Sequence, residues 1–181
     1  MHKKHPSYKY AMDVAEGKVN APKYVKLQVK EFLTIANGKD SRYMIDDNKV
    51  HTIGELLKLM VMPKGLKANS TVYDAMAGFQ WLFIIAILCT VERDNKDKRR
   101  YENAILEICR KNGKTFLIAV LFILLFFIEP KFSKFYSVAP DGSLSREIKT
   151  AIEEIIRSSP ALLGKMNGKE KFKILRDYIH C

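Results

Sequence analysis

The stretch Ala104–Thr115, AILEICRKNGKT, decides how the fold of this 181-residue chain is interpreted. Its first half is mostly apolar and fits a short buried strand, and its second half ends in Gly-Lys-Thr. Phe116–Ile128 follows at once, as thirteen uninterrupted apolar residues with the length of a buried helix. The pattern predicts a strand, a tight loop and a helix in direct succession.

Such a join between a strand and a helix can bind a phosphate chain. Successive backbone amides curl around an anion, and the positive end of the helix dipole favours negative charge. Gly113 lets the backbone approach closely, Lys114 would reach the β- and γ-phosphates, and Thr115 would complete the coordination of Mg²⁺. The full pattern GxxxxGK[ST] would place a glycine where the chain has Ile108, so a Lys-rich turn is the alternative.

Residues 1–70 predict a helical N-terminal region. Ala21–Ile35 places its apolar side chains at helical spacing, and Thr52 suits the cap of a second helix over Ile53–Met62. The acidic pair Asp46–Asp47 between them is interpreted as a solvated turn rather than as a metal site.

The pattern of residues 71–181 predicts that they form the core of the fold, which is incomplete at its C-terminus. Ala75–Leu88 is an apolar helix, Phe135–Ala139 fits a second strand, and Phe172–Cys181 fits the start of a third. Between these two predicted strands lies an amphipathic helix that ends near Arg157. Because strands alternate with helices, the chain predicts an α/β fold, an incomplete P-loop NTPase-like parallel sheet with flanking helices.

The amino-acid composition indicates which partners and which cellular compartment to expect. The formal net charge of +11 favours polyanionic partners such as nucleic acid or nucleotides. The longest apolar run is shorter than the roughly 20 residues of a membrane-spanning helix, and no secretory signal follows the basic N-terminus, so no membrane partner is expected. Three scattered cysteines without a CxxC pair indicate reduced thiols and a cytoplasmic location.

Several segments together resemble one family, the large terminase subunits of tailed bacteriophages. ILEICRKNGKT resembles the family's deviant Walker A segment, in which RKNGK[ST] follows an apolar strand and the first glycine is commonly absent. Cys109 stands where many relatives have proline. The resemblance runs in the family's order across nearly the whole chain, with further matching segments at Tyr10–Leu33, Met62–Leu88 and Lys134–Ile148.

The resemblance implies a role for each matching residue. Gln80, in the Phe-Gln pair of the family, would read the adenine base, because a side-chain amide donates and accepts at once; the alternative is a lone polar residue on a buried helix. Arg110 would contact phosphate oxygens; the alternative is a surface cation beside Lys111. The implied ATP-binding set is Gln80, Arg110, Lys111, Asn112, Gly113, Lys114 and Thr115, with Mg²⁺ at Thr115.

The resemblance also implies what the protein acts with. The partners would be double-stranded DNA, a terminase small subunit, a portal protein and further copies of the chain, in the host cytoplasm. Phosphoryl transfer also needs a carboxylate for Mg²⁺ and a group that orients water. The family's apolar strand ending in Asp-Glu is not found in residues 116–181. We therefore expect an ATP-binding part, truncated before the Walker B strand, with weak or no ATP hydrolysis.

Two other classes stay open. A non-enzymatic basic module that binds nucleic acid or a partner protein would use Lys-rich clusters such as Lys96–Arg100 and Lys165–Arg176. A small-molecule kinase would use the same loop, but no set of lid arginines is recognisable. The four histidines are dispersed and form no HExxH pattern.

Overall fold

The computed structural model describes residues 3–166, 169–170, 172–175 and 178–180. The chain is a helix-rich α/β protein with short antiparallel strand pairs. In chain order the helices are α1 (Pro6–Ala15), α2 (Lys23–Ala36), α3 (Asp47–Leu59), α4 (Val72–Ala75), α5 (Gly78–Cys89), α6 (Lys114–Ile128) and α7 (Gly142–Ser158). The strands are β1 (Tyr43–Ile45), β2 (Thr90–Glu92), β3 (Lys165–Met166), β4 (Lys169–Glu170), β5 (Lys173–Ile174) and β6 (Ile179–His180).

The chain divides into two units. The first consists of Met1–Ile53 and Met76–Leu106, and the second of Gly54–Ala75 and Glu107–Cys181. The boundary falls within α3. None of the described helices combines the length and the hydrophobicity that crossing a bilayer requires.

In the first unit, α1 packs against α2 and α5. The core of this unit includes Phe32, Trp81 and Ile85, all nearly inaccessible to solvent. The helix α5 is apolar on almost every face, as expected for a helix that is buried all round. It begins at Gly78, where a Cβ atom would lie 2.8 Å from the Cβ of Tyr10, so α1 and α5 meet at that glycine.

Asp46 sets the start of α3, which the sequence placed too late. The Asp46 carboxylate accepts the backbone N–H of Asn48 at 2.9 Å and that of Lys49 at 3.3 Å. These bonds satisfy donors that a helix start leaves open, so α3 begins at Asp47 rather than at Ile53. The prediction that Thr52 caps the helix was wrong, and Asp46 is a buried cap rather than part of a solvated turn.

In the second unit, the apolar helix α6 packs against α7. Buried side chains such as Leu117 and Ile123 of α6 and Ile155 of α7 form the core between them. Ser159, which follows α7, accepts the backbone N–H of Val61 at 2.8 Å and is fully buried. The predicted helices at residues 116–128 and up to Arg157 are confirmed.

The strands predicted on either side of the α6 helix are not strands in the structure. Ala104–Cys109 and Phe135–Ala139 are irregular, and the side chains of Ile105 and Val138 are 92% and 91% exposed. An apolar segment is stabilised as a strand only when a neighbouring edge pairs its backbone and its side chains are covered. Neither segment pairs with another strand in the described residues, and the side chains of Ile105 and Val138 stay uncovered. Every strand pair in the described residues is antiparallel.

The segment predicted as a third strand also differs. Where Phe172–Cys181 is described, β5 and β6 form an antiparallel hairpin instead of one parallel strand. Much of the predicted basic cluster Lys165–Arg176 lies outside the described residues. The α/β class is therefore confirmed in its general form, and the parallel sheet is not.

Candidate phosphate-binding site

The residues before α6 form a tight turn with two left-handed backbone positions. Lys111 has a φ of 66°, and Gly113, the N-cap of α6, has a φ of 77° and a ψ of 23°. Asn112 lies between them and donates from Nδ2 to the Cys109 carbonyl oxygen at 3.4 Å. Left-handed positions in a turn can curl successive backbone amides around a concavity that suits an anion.

The left-handed conformation at Lys111 is notable because the residue is not glycine. For an L-residue with a Cβ this conformation costs about 1–2 kcal/mol. Such strain is concentrated at binding and catalytic sites, where the surrounding structure holds it in place. Gly113 adopts the same conformation without that cost, since it has no Cβ.

The first turn of α6 offers unpaired backbone donors. The first backbone bond of the helix joins the Leu117 N–H to the Gly113 carbonyl oxygen at 2.9 Å. The N–H groups of Lys114, Thr115 and Phe116 come before this bond, and no described side chain caps the helix. These donors and the positive end of the helix dipole both favour an anion at this place.

A pocket of about 660 Å³ lies against the turn, within the size range of small-ligand sites. Three parts of the second unit line it. The turn and α6 contribute Cys109, Arg110, Lys111, Gly113, Lys114, Thr115 and Phe116; the segment after α3 contributes Met62, Pro63 and Lys64; and α7 contributes Arg146, Glu147, Thr150, Ala151 and Glu154.

The lining of this pocket is positively charged. Its described lining contains five basic and two acidic side chains, an excess of three positive charges. Lys64 is paired with Glu154, with Nζ and Oε2 2.7 Å apart. Among the described residues, Arg110, Lys111 and Lys114 have no carboxylate partner, so their charges are available to an anionic ligand.

The structure brings most of the predicted loop residues to one pocket. Arg110, Lys111, Gly113, Lys114 and Thr115 line it, while Asn112 closes the turn through its side chain.

Gln80 lies in the first unit, where it caps a helix. Its Oε1 accepts the backbone N–H of Ala77 at 2.9 Å, and the side chain is buried at the start of α5. An amide that accepts at Oε1 still has two donors. The role of Gln80 as an adenine contact stays a prediction.

Sequence reasoning missed the wall of the pocket opposite the turn. Arg146, Glu147 and Glu154 of α7 line it together with Lys64. Positions 147, 150, 151 and 154 share one face of a helix. The sequence shows this spacing, but it does not show which segment that face would contact. On the same helix Glu153 pairs with Lys149, and Glu154 pairs with Lys64.

The pocket has oxygen donors of the kind that Mg²⁺ prefers. The Thr115 side chain and the carboxylates of Glu147 and Glu154 line the same hollow. Mg²⁺ is usually held by one or two such groups together with substrate phosphates and water. No cluster of three or more metal-binding side chains occurs in the described part of the chain, so a metal here would depend on phosphate ligands.

Comparison of the chain with known protein families, with curated proteins and with solved structures found no match. Function is therefore inferred from the residues and the geometry of the pocket.

Proposed function

We propose that this chain is the N-terminal ATP-binding part of a bacteriophage-type terminase large subunit, the ATPase that moves viral DNA into the procapsid. The main support is the left-handed turn at Lys111 and Gly113, which opens a basic pocket at the start of α6. The segment RKNGKT and its neighbours, which resemble that family, supply the choice of family.

In this proposal the triphosphate of ATP occupies the pocket at the turn. The amides of Lys114 and Thr115 bind phosphate oxygens, the Lys114 ammonium lies against the β- and γ-phosphates, and the Thr115 hydroxyl binds Mg²⁺. Arg110 adds a planar guanidinium that can bind two oxygens at once. Mg²⁺ neutralises charge on the phosphates when it is bound.

The opposite wall completes the charge balance. Arg146 would contact the phosphates from α7, a role that no sequence motif assigns. Lys64 is held by Glu154, so it is already neutralised when an anion enters. An approaching phosphate would compete with that carboxylate for the Lys64 ammonium, because both are anions in the same pocket.

The finer fold is also part of the proposal. Ala104–Cys109 and Phe135–Ala139 would be strands of a P-loop parallel sheet, completed by strands outside this chain. Both segments are rich in exposed apolar side chains, such as Ile105 and Val138, which a sheet and its covering helices would bury. The Walker B carboxylate would come from one of the added strands, so we propose weak or no ATP hydrolysis by this chain alone.

The proposed setting follows from the family. Double-stranded DNA would be the substrate that is moved, with a terminase small subunit, a portal protein and further copies of the chain as partners, in the host cytoplasm. The net charge of +11 suits a protein that works beside DNA.

Titration with a fluorescent ATP analogue and Mg²⁺ tests the nucleotide site. Lys114→Ala should weaken binding by about tenfold or more, since a hydrogen bond to a charged group contributes about 1.5–3 kcal/mol. Lys131→Ala is the matched control, because Lys131 is an exposed lysine of the same unit that does not line the pocket. Equal affinities for the two variants, or no binding by the unmodified chain, would show that the pocket is not a nucleotide site.

The non-enzymatic basic module is the second candidate, supported by the net charge. It predicts no Mg²⁺-ATP binding, together with a DNA affinity that falls steeply as salt is added. The same titration therefore separates the two candidates.

A further inference from the structure

A second pocket lies in the first unit, beside α1 and α2, and has a volume of about 570 Å³. Its apolar part is formed by Val14, Ala15, Val29 and Leu33. Its polar part is formed by Lys26, Lys30, Thr34, Asn37 and Lys39, with Gly17 beside them. Among the residues that the structure describes, no acidic side chain lines this pocket, in contrast to the pocket at the turn.

Three lysines of this pocket, Lys26, Lys30 and Lys39, form what we call the lysine rim. Among the described residues none of the three has a carboxylate partner. Two nearby carboxylates are already engaged, because Glu16 pairs with Lys18 and Glu31 pairs with Arg100. The positive charge of the rim is therefore left for a ligand to neutralise.

The arrangement of the rim costs stability in the absence of a ligand. Lys26 and Lys30 are one helical turn apart on α2, and a like-charge pair at this spacing destabilises a helix. An anion bound between the lysines would remove this repulsion.

The positive charge continues along α2 beyond the pocket. Lys23, an exposed residue, lies one turn before Lys26, so the stripe from Lys23 to Lys30 extends roughly 10 Å along the helix axis. Tyr24 and Leu27 beside it are 79% and 54% exposed. A stripe that outruns its pocket is better matched by a long polyanion than by one small phosphate compound.

We propose that the lysine rim binds the phosphate backbone of double-stranded DNA. Lysine is a flexible point charge that suits phosphates without selecting a sequence, and most contacts between proteins and DNA are of this kind. The choice of DNA among polyanions rests on the proposed function, while the three lysines without a carboxylate partner in the described residues are observed independently of the ATP pocket.

Anisotropy of a short fluorescent duplex, measured over a series of salt concentrations, tests the proposal. The triple variant Lys26→Gln, Lys30→Gln and Lys39→Gln should lower the affinity at low salt by about tenfold or more. The slope of log affinity against log salt should fall by up to about 2.7, since each lost phosphate contact removes about 0.9.

The matched control removes the same charge elsewhere in the first unit, through Lys3→Gln, Lys4→Gln and Lys9→Gln. All three control lysines are exposed and lie outside the pocket. The rim variant should lose much more DNA affinity than the control, with the same thermal unfolding temperature. Equal losses in the two variants would mean that net charge alone attracts DNA, and the site would be rejected.

Two further measurements separate this site from the nucleotide pocket. Mg²⁺-ATP binding should be unchanged in the rim variant, and DNA binding should be unchanged in Lys114→Ala, so either proposal can fail alone. If free ATP displaced DNA from the Lys114→Ala variant at low concentration, the rim would be a mononucleotide site and the DNA proposal would be wrong.

Discussion

Replacing Gly113 by alanine tests the backbone geometry on which the nucleotide site depends. Gly113 has a φ of 77°, in the left-handed region, and it is the N-cap of α6. An alanine held in this conformation costs about 1–2 kcal/mol. In a protein of this size 1 kcal/mol lowers the melting temperature by about 2–4 °C, so Gly113→Ala should lower it by about 2–8 °C.

Gly142→Ala is the matched control for that substitution. Gly142 begins α7 in the same unit, its φ lies outside the left-handed region, and an added Cβ would meet nothing within 4 Å. Alanine there should leave stability unchanged or raise it by up to about 1 kcal/mol, because glycine is a poor helix residue.

Thermal unfolding followed by far-ultraviolet circular dichroism measures both variants. Gly113→Ala should also bind Mg²⁺-ATP more weakly than Gly142→Ala, since the added methyl group lies where the backbone approaches the phosphates. If the two variants had the same melting temperature, residue 113 would not be left-handed, and the turn would lose its resemblance to a phosphate loop.

Substitutions at Gly78 and His5 probe the first unit. Gly78→Ala brings a Cβ to 2.8 Å from the Cβ of Tyr10, so it should lower the free energy of unfolding, measured in urea, by about 1–3 kcal/mol. Gly54→Ala is the control, because the nearest atom to its added Cβ lies at 3.6 Å and no such loss is expected. Burial lowers the pKa of His5 to about 4 from 6.5, so the unfolded chain takes up the proton first and stability should fall as the pH drops from about 6.5 to about 4. Allowing for solvent screening of the partly exposed ring, the loss of stability should be on the order of 1 kcal/mol. It should be smaller in His5→Asn, which keeps an acceptor for the Ser7 N–H. A loss of the same size in that variant would exclude His5 as its source.

Helices were the part of the fold that local sequence could predict. The helices α2, α5, α6 and α7 lie within a few residues of their predicted positions. For α2 and α7 the apolar spacing gave the signal, and for α5 and α6 the length of the apolar run did. A helix forms all its central backbone bonds within one segment, so local sequence carries most of the information.

Strands were predicted less well because their hydrogen bonds depend on another segment. Ala104–Cys109 has the composition of a buried strand, yet in the described part of the chain no other segment pairs with it, and Ile105 is exposed. The paired strands β1 and β2 are three residues each and are separated in the sequence by residues 46–89. Nothing in either short sequence identifies the other as its partner.

In the candidate site, too, local sequence predicted some residues and missed those that only tertiary packing brings together. The turn from Arg110 to Thr115 was predicted because the glycine, the lysine and the hydroxyl are adjacent in the sequence. Lys64 and Arg146 were missed because only the packing of distant segments brings them to the turn. A motif can therefore identify one wall of a pocket, while the opposite wall requires the tertiary structure.

The pocket does not need the predicted parallel sheet for its existence. Its turn is fixed by the start of α6, and α6 is held by buried contacts such as those of Leu117 and Ile123 against α7. α7 in turn presents Arg146 to the same hollow. A strand before the loop would orient the incoming backbone, but the amides that meet a phosphate belong to the turn and to the first helical turn. Phosphate binding and a complete sheet are therefore separable properties, and Lys114→Ala tests the first without assuming the second.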